Sequence, residues 1–173
     1  IAVATNCETA EPVYFEKDHC RDIFQAVQAS ASMPFISKMV WMEGYPYLDG
    51  GCSDKIPFAW ALREGYKKII VVRTRPLSYR KKTDSITRKL PLEKTIYRPY
   101  QKFIKALEEM DVNYNRQCEA LEMLQEQKRI YVIAPSQPVT VGRLEPDLEK
   151  LGSLYWMGYY DTRRQIQDRK SVV

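Results

Sequence analysis

Asp49 is the residue of this chain best suited to do chemistry. It stands in the run Tyr47-Leu48-Asp49-Gly50-Gly51, where an expected strand gives way to two glycines. Such a junction can hold a carboxylate at the rim of a sheet with open backbone beside it. Glycines let a substrate or a facing backbone approach closely and tolerate positive φ, which makes Gly50 and Gly51 candidate substrate-binding positions. A carboxylate placed this way can accept a serine proton directly if the two groups are within hydrogen-bond reach in a dry site. Histidine more often takes that proton, oriented by an aspartate. The single histidine, His19, lies in the charged stretch Glu16-Lys17-Asp18-His19 and reads as part of a surface turn. Asp-Gly is also among the commonest turn dipeptides, so the three residues taken alone read first as an ordinary turn.

The partner such a carboxylate needs is not evident. The 7 glycines frame no Gly-x-Ser-x-Gly elbow. Ser30 and Ser32 have alanine neighbours and read as packing residues, and Gly152-Ser153 reads as the end of one helix and the cap of the next. Cys52 follows Asp49 closely but has no basic group beside it, which makes it a semi-buried thiol rather than a nucleophile. Asp54, before Lys55-Ile56-Pro57, reads as fixing the turn into a helix. The 4 cysteines, Cys7, Cys20, Cys52 and Cys118, form no CxxC pair. Reduced thiols are expected, with no metal site and no cofactor.

The elements that must position Asp49 follow from pattern. Ile1–Asn6 and Pro12–Phe15 read as strands joined by a polar turn. Asp22 to Ser30 reads as a helix with Ile23, Phe24, Ala26 and Val27 on its apolar stripe, ended ahead of Pro34. Lys38–Glu43 and Tyr45–Asp49 read as strands around a turn at Glu43-Gly44. Pro57 suits the first turn of a short helix and Gly65 its end. Lys68–Arg73 reads as a buried strand of a parallel sheet covered on both faces. An irregular basic loop is expected over residues 74–91. Residues 92–127 read as helical, with Tyr100, Phe103, Ile104, Leu107, Tyr114, Cys118 and Leu121 forming a core stripe and a break near Asp111–Asn115 making two helices. Tyr97, Tyr100, Phe103 and Tyr114 could instead face lipid. A strand at 130–134, a short helix at 146–151 and a last helix at 153–167, buried through Leu154, Met157 and Ile166, complete an α/β pattern.

Composition narrows the function classes. The 173 residues suit one domain or the larger part of one, and 45% hydrophobic residues are ordinary for a globular fold. No apolar run approaches the ~20 residues that span a bilayer, and no secretory leader is present in the sequence, so a cytoplasmic protein is expected, with peripheral membrane contact open to it. Charge is uneven: residues 63–105 hold 14 Lys/Arg against 3 Asp/Glu, and the rest of the chain holds 13 against 19. The basic stretch could meet anionic membrane surfaces or nucleic acid, or be a solvated face. No nucleic-acid-binding motif accompanies it, which makes nucleic acid the weaker of these partners. A non-catalytic basic binding or scaffold module is the alternative to an enzyme. The sequence opens without Met in the strand-like Ile1-Ala2-Val3-Ala4-Thr5, as a piece of a longer polypeptide would.

Ala29-Ser30-Ala31-Ser32-Met33-Pro34, followed about fifteen residues later by Tyr47-Leu48-Asp49-Gly50-Gly51 and then Ile56-Pro57, resembles the C-terminal half of patatin-like acyl hydrolases. In that family a small-residue Ser-Ala-Pro segment precedes an Asp-Gly-Gly/Ala motif whose aspartate partners the catalytic serine. Ala4-Thr5-Asn6-Cys7-Glu8-Thr9, Pro12-Val13-Tyr14-Phe15, Thr74-Arg75-Pro76, Tyr79-Arg80-Lys81-Lys82 and Tyr131-Val132-Ile133-Ala134-Pro135-Ser136 are similar to bacterial patatin-like proteins. This resemblance extends over nearly the whole chain. It implies that residues 1–76 are the C-terminal part of a patatin-like catalytic domain of three-layer α/β fold. Residues 77–173 would then form a basic loop, a helical segment, a strand and C-terminal helices packed on it. It also implies a Ser-Asp dyad acting on lipid or other acyl esters, with Asp49 as acid/base and the nucleophile outside these residues. A chain lacking part of its sheet would expose edges able to self-associate.

Overall fold

The structure, a computed structural model, describes residues 1–82, 96–142 and 145–170. The basic loop expected over 74–91 is described only as far as residue 82, and the beginning of the helical segment expected from residue 92 lies outside the described residues. Helices and strands are mixed along the chain, as an α/β pattern requires. The chain divides into two compact units, residues 1–60 with 81–117 and residues 61–80 with 118–173.

The first unit holds four strands, β1 (Ala2–Asn6), β2 (Pro12–Phe15), β3 (Val40–Met42) and β4 (Tyr45–Asp49). They form one antiparallel sheet in the order β2-β1-β4-β3. The β3–β4 hairpin turns where the sequence places it: Glu43 and Gly44 both have positive φ, 51° and 85°, as a two-residue turn matched to strand twist demands. Helix α1 (Ile23–Ser30) begins at Asp22, whose Oδ1 accepts the N–H groups of Phe24 and Gln25 at 2.9 and 3.2 Å. Strand alternation sends neighbouring β4 side chains to opposite faces. Tyr47 packs with Ala26 and Ala29 of α1, and Leu48 packs with Phe103 and Leu107. Leu48 and Phe103 are fully buried, and each contributes roughly 2–3 kcal/mol of transfer free energy. The end of β4 is thereby clamped from both sides.

Helix α2 (Phe58–Arg63) follows Pro57, and Gly65 stands just past it with φ 81°, the left-handed conformation that ends helices. In the second unit, β5 (Ile69–Val72) and β6 (Ile130–Ile133) pair in parallel. A parallel pair needs a long crossover, supplied by the chain that includes helix α3 (Gln101–Glu126). The parallel pairing was legible in sequence, but full burial of β5 was not correct. Ile70 and Val72 are 59% and 70% exposed, because among the described residues only one face of this two-stranded sheet is covered.

Two expected breaks are absent. Helix α3 runs unbroken through Asp111–Asn115. Its polar residues there do not end the helix but hold chain beside it: Asn115 accepts the Lys81 N–H at 2.9 Å and donates to the Lys81 carbonyl at 3.0 Å. Helix α4 (Leu148–Lys170) likewise runs through Gly152-Ser153 as one element. A single helical glycine costs about 1 kcal/mol, which the rest of a long helix absorbs. Of the expected buried points of α4, Leu154 and Met157 are partly buried but Ile166 is 41% exposed, and Asp161 is buried. Asp161 Oδ2 accepts the Ser136 N–H at 2.8 Å, and Gln165 bonds both the N–H and the carbonyl of Ala134. Polar anchoring accompanies the partly buried Leu154 and Met157.

Candidate active site around Asp49

Asp49 is the last residue of β4, paired across the sheet with Ala4 of β1. Three bonds fix it. Its N–H donates to the Ser32 carbonyl at 2.8 Å, its carbonyl accepts the Thr5 hydroxyl at 2.8 Å, and its Oδ1 accepts the Gly51 N–H at 2.7 Å. The last bond caps a single 3₁₀ turn over Gly50–Cys52. Asp49 therefore fixes the turn that its Asp-Gly dipeptide suggests. Oδ1 holds the turn, while Oδ2 carries no hydrogen bond from the described residues. The residue is half-buried. The result is a carboxylate oriented by the backbone, with one oxygen free to accept or return a proton.

The two glycines differ in what they permit. A Cβ on Gly50 would lie 2.3 Å from the Val3 carbonyl oxygen, so the close crossing of β1 demands glycine there. A Cβ on Gly51 would lie 3.1 Å from Asp49 Oδ1 and 3.4 Å from Lys55 Cγ. Gly51 therefore leaves room for the carboxylate over its N–H, whereas Gly50 is buried.

The small-residue segment meets this motif directly. Ala26 and Ala29 are fully buried, and their size lets α1 lie close on β1 and β4. Ser32 closes the helix by donating its hydroxyl to the Gln28 carbonyl at 2.7 Å, which makes it a packing residue, as its alanine neighbours suggest. Phe35 follows with φ 70°, a conformation rare for an aromatic residue. Its N–H is held by the Tyr97 hydroxyl at 3.1 Å, and the two rings meet edge to face. Tyr97, Phe103 and Tyr114 are buried and Tyr100 is partly buried, so these aromatics belong to the core.

The other candidates fall into supporting roles. The Cys52 thiol is pushed up to about 12, by burial first and then by the Asp49 carboxylate and Cys7, so it stays protonated and is not a nucleophile. Burial does the same to Cys7. All four cysteines are free thiols. His19 is a surface residue, 3.5 Å from Glu16. Asp54 does more than fix a local turn: its carboxylate accepts the Tyr14 hydroxyl and the Gln117 amide, tying β2 to α3. Beside it, Lys55 and Lys81 both reach Asp111, at 3.3 and 2.8 Å, and both lie over the Tyr114 ring. Burial, and then Lys81, lowers the Lys55 amine to about 8. Burial pushes the Asp111 carboxyl up, but the two lysines outweigh it and the net shift is downward.

Sequence reasoning missed Thr5 and Ser53. Thr5 is fully buried, and its Oγ1 bridges the Asp49 carbonyl and Ser53 Oγ, each at 2.8 Å. The available signal was a hydroxyl residue following the apolar Ala2-Val3-Ala4 in a strand, since a buried hydroxyl needs a partner. Part of the basic stretch is engaged internally. Arg80 forms a two-pronged bond to Glu122, both contacts 2.8 Å, and Arg73 is buried with its guanidinium on Cys118 Sγ and the Leu77 carbonyl.

Comparison with known proteins finds family matches for two separate stretches of the chain. Residues 3–62 match the family described as Patatin-like phospholipase, and residues 100–173 match one described as Domain of unknown function (DUF6363). The patatin-like match contains both the small-residue segment and Asp49-Gly50-Gly51. It lies at the N-terminal end of this chain and is narrower than the near-whole-chain similarity expected from sequence. Among curated proteins, the chain is similar to "Uncharacterized protein YjjU" of Escherichia coli (strain K12), 47% identical over 51 residues. Those residues are 29% of this chain and span 14% of the relative's length.

Proposed function

We propose that the patatin-like segment is part of a lipid acyl hydrolase that cleaves carboxylic ester bonds through a Ser-Asp dyad, with Asp49 as the acid/base. The observation that carries this reading is the state of the Asp49 carboxylate, with Oδ1 held by the Gly51 N–H and Oδ2 without a partner among the described residues. The nucleophile is supplied by polypeptide other than these 173 residues, which hold no Gly-x-Ser-x-Gly elbow. Its hydroxyl proton passes to Asp49 Oδ2 as the oxygen attacks the ester carbonyl, and Asp49 returns the proton to the leaving alcohol. Gly51 borders the acyl ester; Gly50, buried under Val3, acts from beneath.

The packing of β4 supports a three-layer arrangement in the first unit. Tyr47 and Leu48, adjacent in sequence, belong to different clusters, one with α1 and one with α3. Phe24, Val27 and Trp41 are 84%, 52% and 56% exposed, and they offer the apolar area that the remainder of such a domain would cover. Among the described residues no helix is long and apolar enough to cross a membrane. The basic residues of 63–105 that do not bond internally would favour approach to an anionic lipid surface.

The test is turnover of a short-chain ester by residues 1–173 alone. No activity above background is expected. Turnover abolished by Asp49→Ala would contradict the proposal, because it would mean that the nucleophile lies within these residues.

A further inference from the structure

Helix α4 is amphipathic in an inverted sense. Its inner face is fastened by polar groups: Asp161 to the Ser136 N–H, and Gln165 to Ala134. Its outer face carries Tyr155, Trp156, Tyr159 and Tyr160, which are 65%, 53%, 47% and 60% exposed. The four rings touch one another, with Trp156 stacked on Tyr160 at 5.9 Å and edge to face with Tyr155 and Tyr159. A shallow groove runs over Gly158 between Tyr155, Tyr159 and Arg163. Folding normally buries such rings, and an exposed aromatic cluster of this kind marks an interaction surface.

Charge and area select the partner. From Leu151 to Gln167 the only carboxylate is Asp161, which is buried. The exposed charges of that stretch are Arg163 and Arg164, and Arg163 has no ion-pair partner among the described residues. The rings are Tyr and Trp, whose polar tips and apolar bodies suit the headgroup level of a bilayer. Half-exposed rings of about 200 Å² each offer on the order of 400 Å², well short of the ~800 Å² per partner of a stable protein interface. A helix face of aromatic rings with cations at its edge can lie in the plane of a membrane surface, where binding grows with buried apolar area and attraction to anionic lipid.

We propose that the outer face of α4, formed by Tyr155, Trp156, Tyr159, Tyr160 and Arg163, seats the protein on the headgroup layer of an anionic lipid bilayer. This surface is distinct from the basic stretch at 63–105, and the proposal does not depend on ester hydrolysis. The rings would enter the headgroup region, and Arg163 would meet lipid phosphate.

The test is co-sedimentation of the whole chain with vesicles of equimolar phosphatidylcholine and phosphatidylglycerol, and with phosphatidylcholine alone. Binding to the anionic vesicles is expected, weaker binding to the neutral ones, and a loss of about tenfold for Trp156→Ala with Tyr160→Ala. Both positions are exposed, so the far-ultraviolet circular dichroism should be unchanged. Arg163→Gln should weaken binding to anionic vesicles alone. In a Trp41→Phe, Trp60→Phe background, Trp156 emission should shift to the blue on adding anionic vesicles. Absence of wild-type binding, equal binding by the double variant, or an unshifted Trp156 would overturn the proposal. So would self-association abolished by the same substitutions without vesicle binding, since that would make the face a contact between copies.

Discussion

The backbone N–H of Asp49 donates to the carbonyl of Ser32 at 2.8 Å, joining the end of β4 to the end of α1. Through this bond the small-residue segment and the Asp-Gly-Gly motif become one structural unit. The same residue is held by Thr5 at its carbonyl and by Gly51 at Oδ1. Its position is therefore set by the end of α1 and by β1 as well as by its own turn.

Gly50→Ala should destabilise the first unit by about 2–3 kcal/mol, because the added methyl would meet the Val3 carbonyl at 2.3 Å and backbone must move. Gly51→Ala should cost less, since its nearest neighbour is the Asp49 side chain at 3.1 Å. Urea denaturation of both variants checks the order, and equal midpoints would count against the close crossing of β1 over Gly50.

Asp111→Ala should lower stability by about 2 kcal/mol at neutral pH, by removing the carboxylate that faces both Lys55 and Lys81. The pH dependence has a definite sign. The Asp111 carboxyl is held below its ordinary value, so its contribution is complete above roughly pH 4 and is lost as pH falls through the native value. Denaturation curves of wild type and variant should converge in acid. A gap that persists there would mean the loss is steric rather than electrostatic.

Gly152→Ala should stabilise the protein by about 1 kcal/mol. The glycine lies inside α4, and nothing stands within 4 Å of the Cβ it would acquire. Thermal unfolding gives the answer directly. Destabilisation would indicate that the helix is interrupted at Gly152-Ser153 after all.

What the sequence made legible was local and periodic. The helix ending at Ser30, the Glu43-Gly44 turn, the strand end at Asp49 and the helical stripe through Phe103, Leu107, Tyr114 and Cys118 each follow from a short pattern, and each is present. Misreadings arose where a polar residue or glycine had a partner far away in the chain. Asp111 and Asn115 looked like a helix break because their partners, Lys55 and Lys81, are remote in sequence. Asp54 looked like a turn residue for the same reason, with Tyr14 and Gln117 as its partners. The exposed side of β5 could not be told from a buried one, because four consecutive apolar residues fit either. At the candidate site the motif identified Asp49. That one carboxylate oxygen is tied and the other is open is a property of geometry alone.

The most direct test of the account is Asp49→Asn in a protein that joins these residues to a Gly-x-Ser-x-Gly-bearing segment, followed by turnover of a short-chain ester. Asparagine can still accept the Gly51 N–H, so unfolding should change by less than about 1 kcal/mol. It cannot take the serine proton, so kcat should fall at least about 100-fold. A folded Asp49→Asn protein that keeps its kcat within a few-fold of wild type would contradict the assignment of Asp49 as the acid/base.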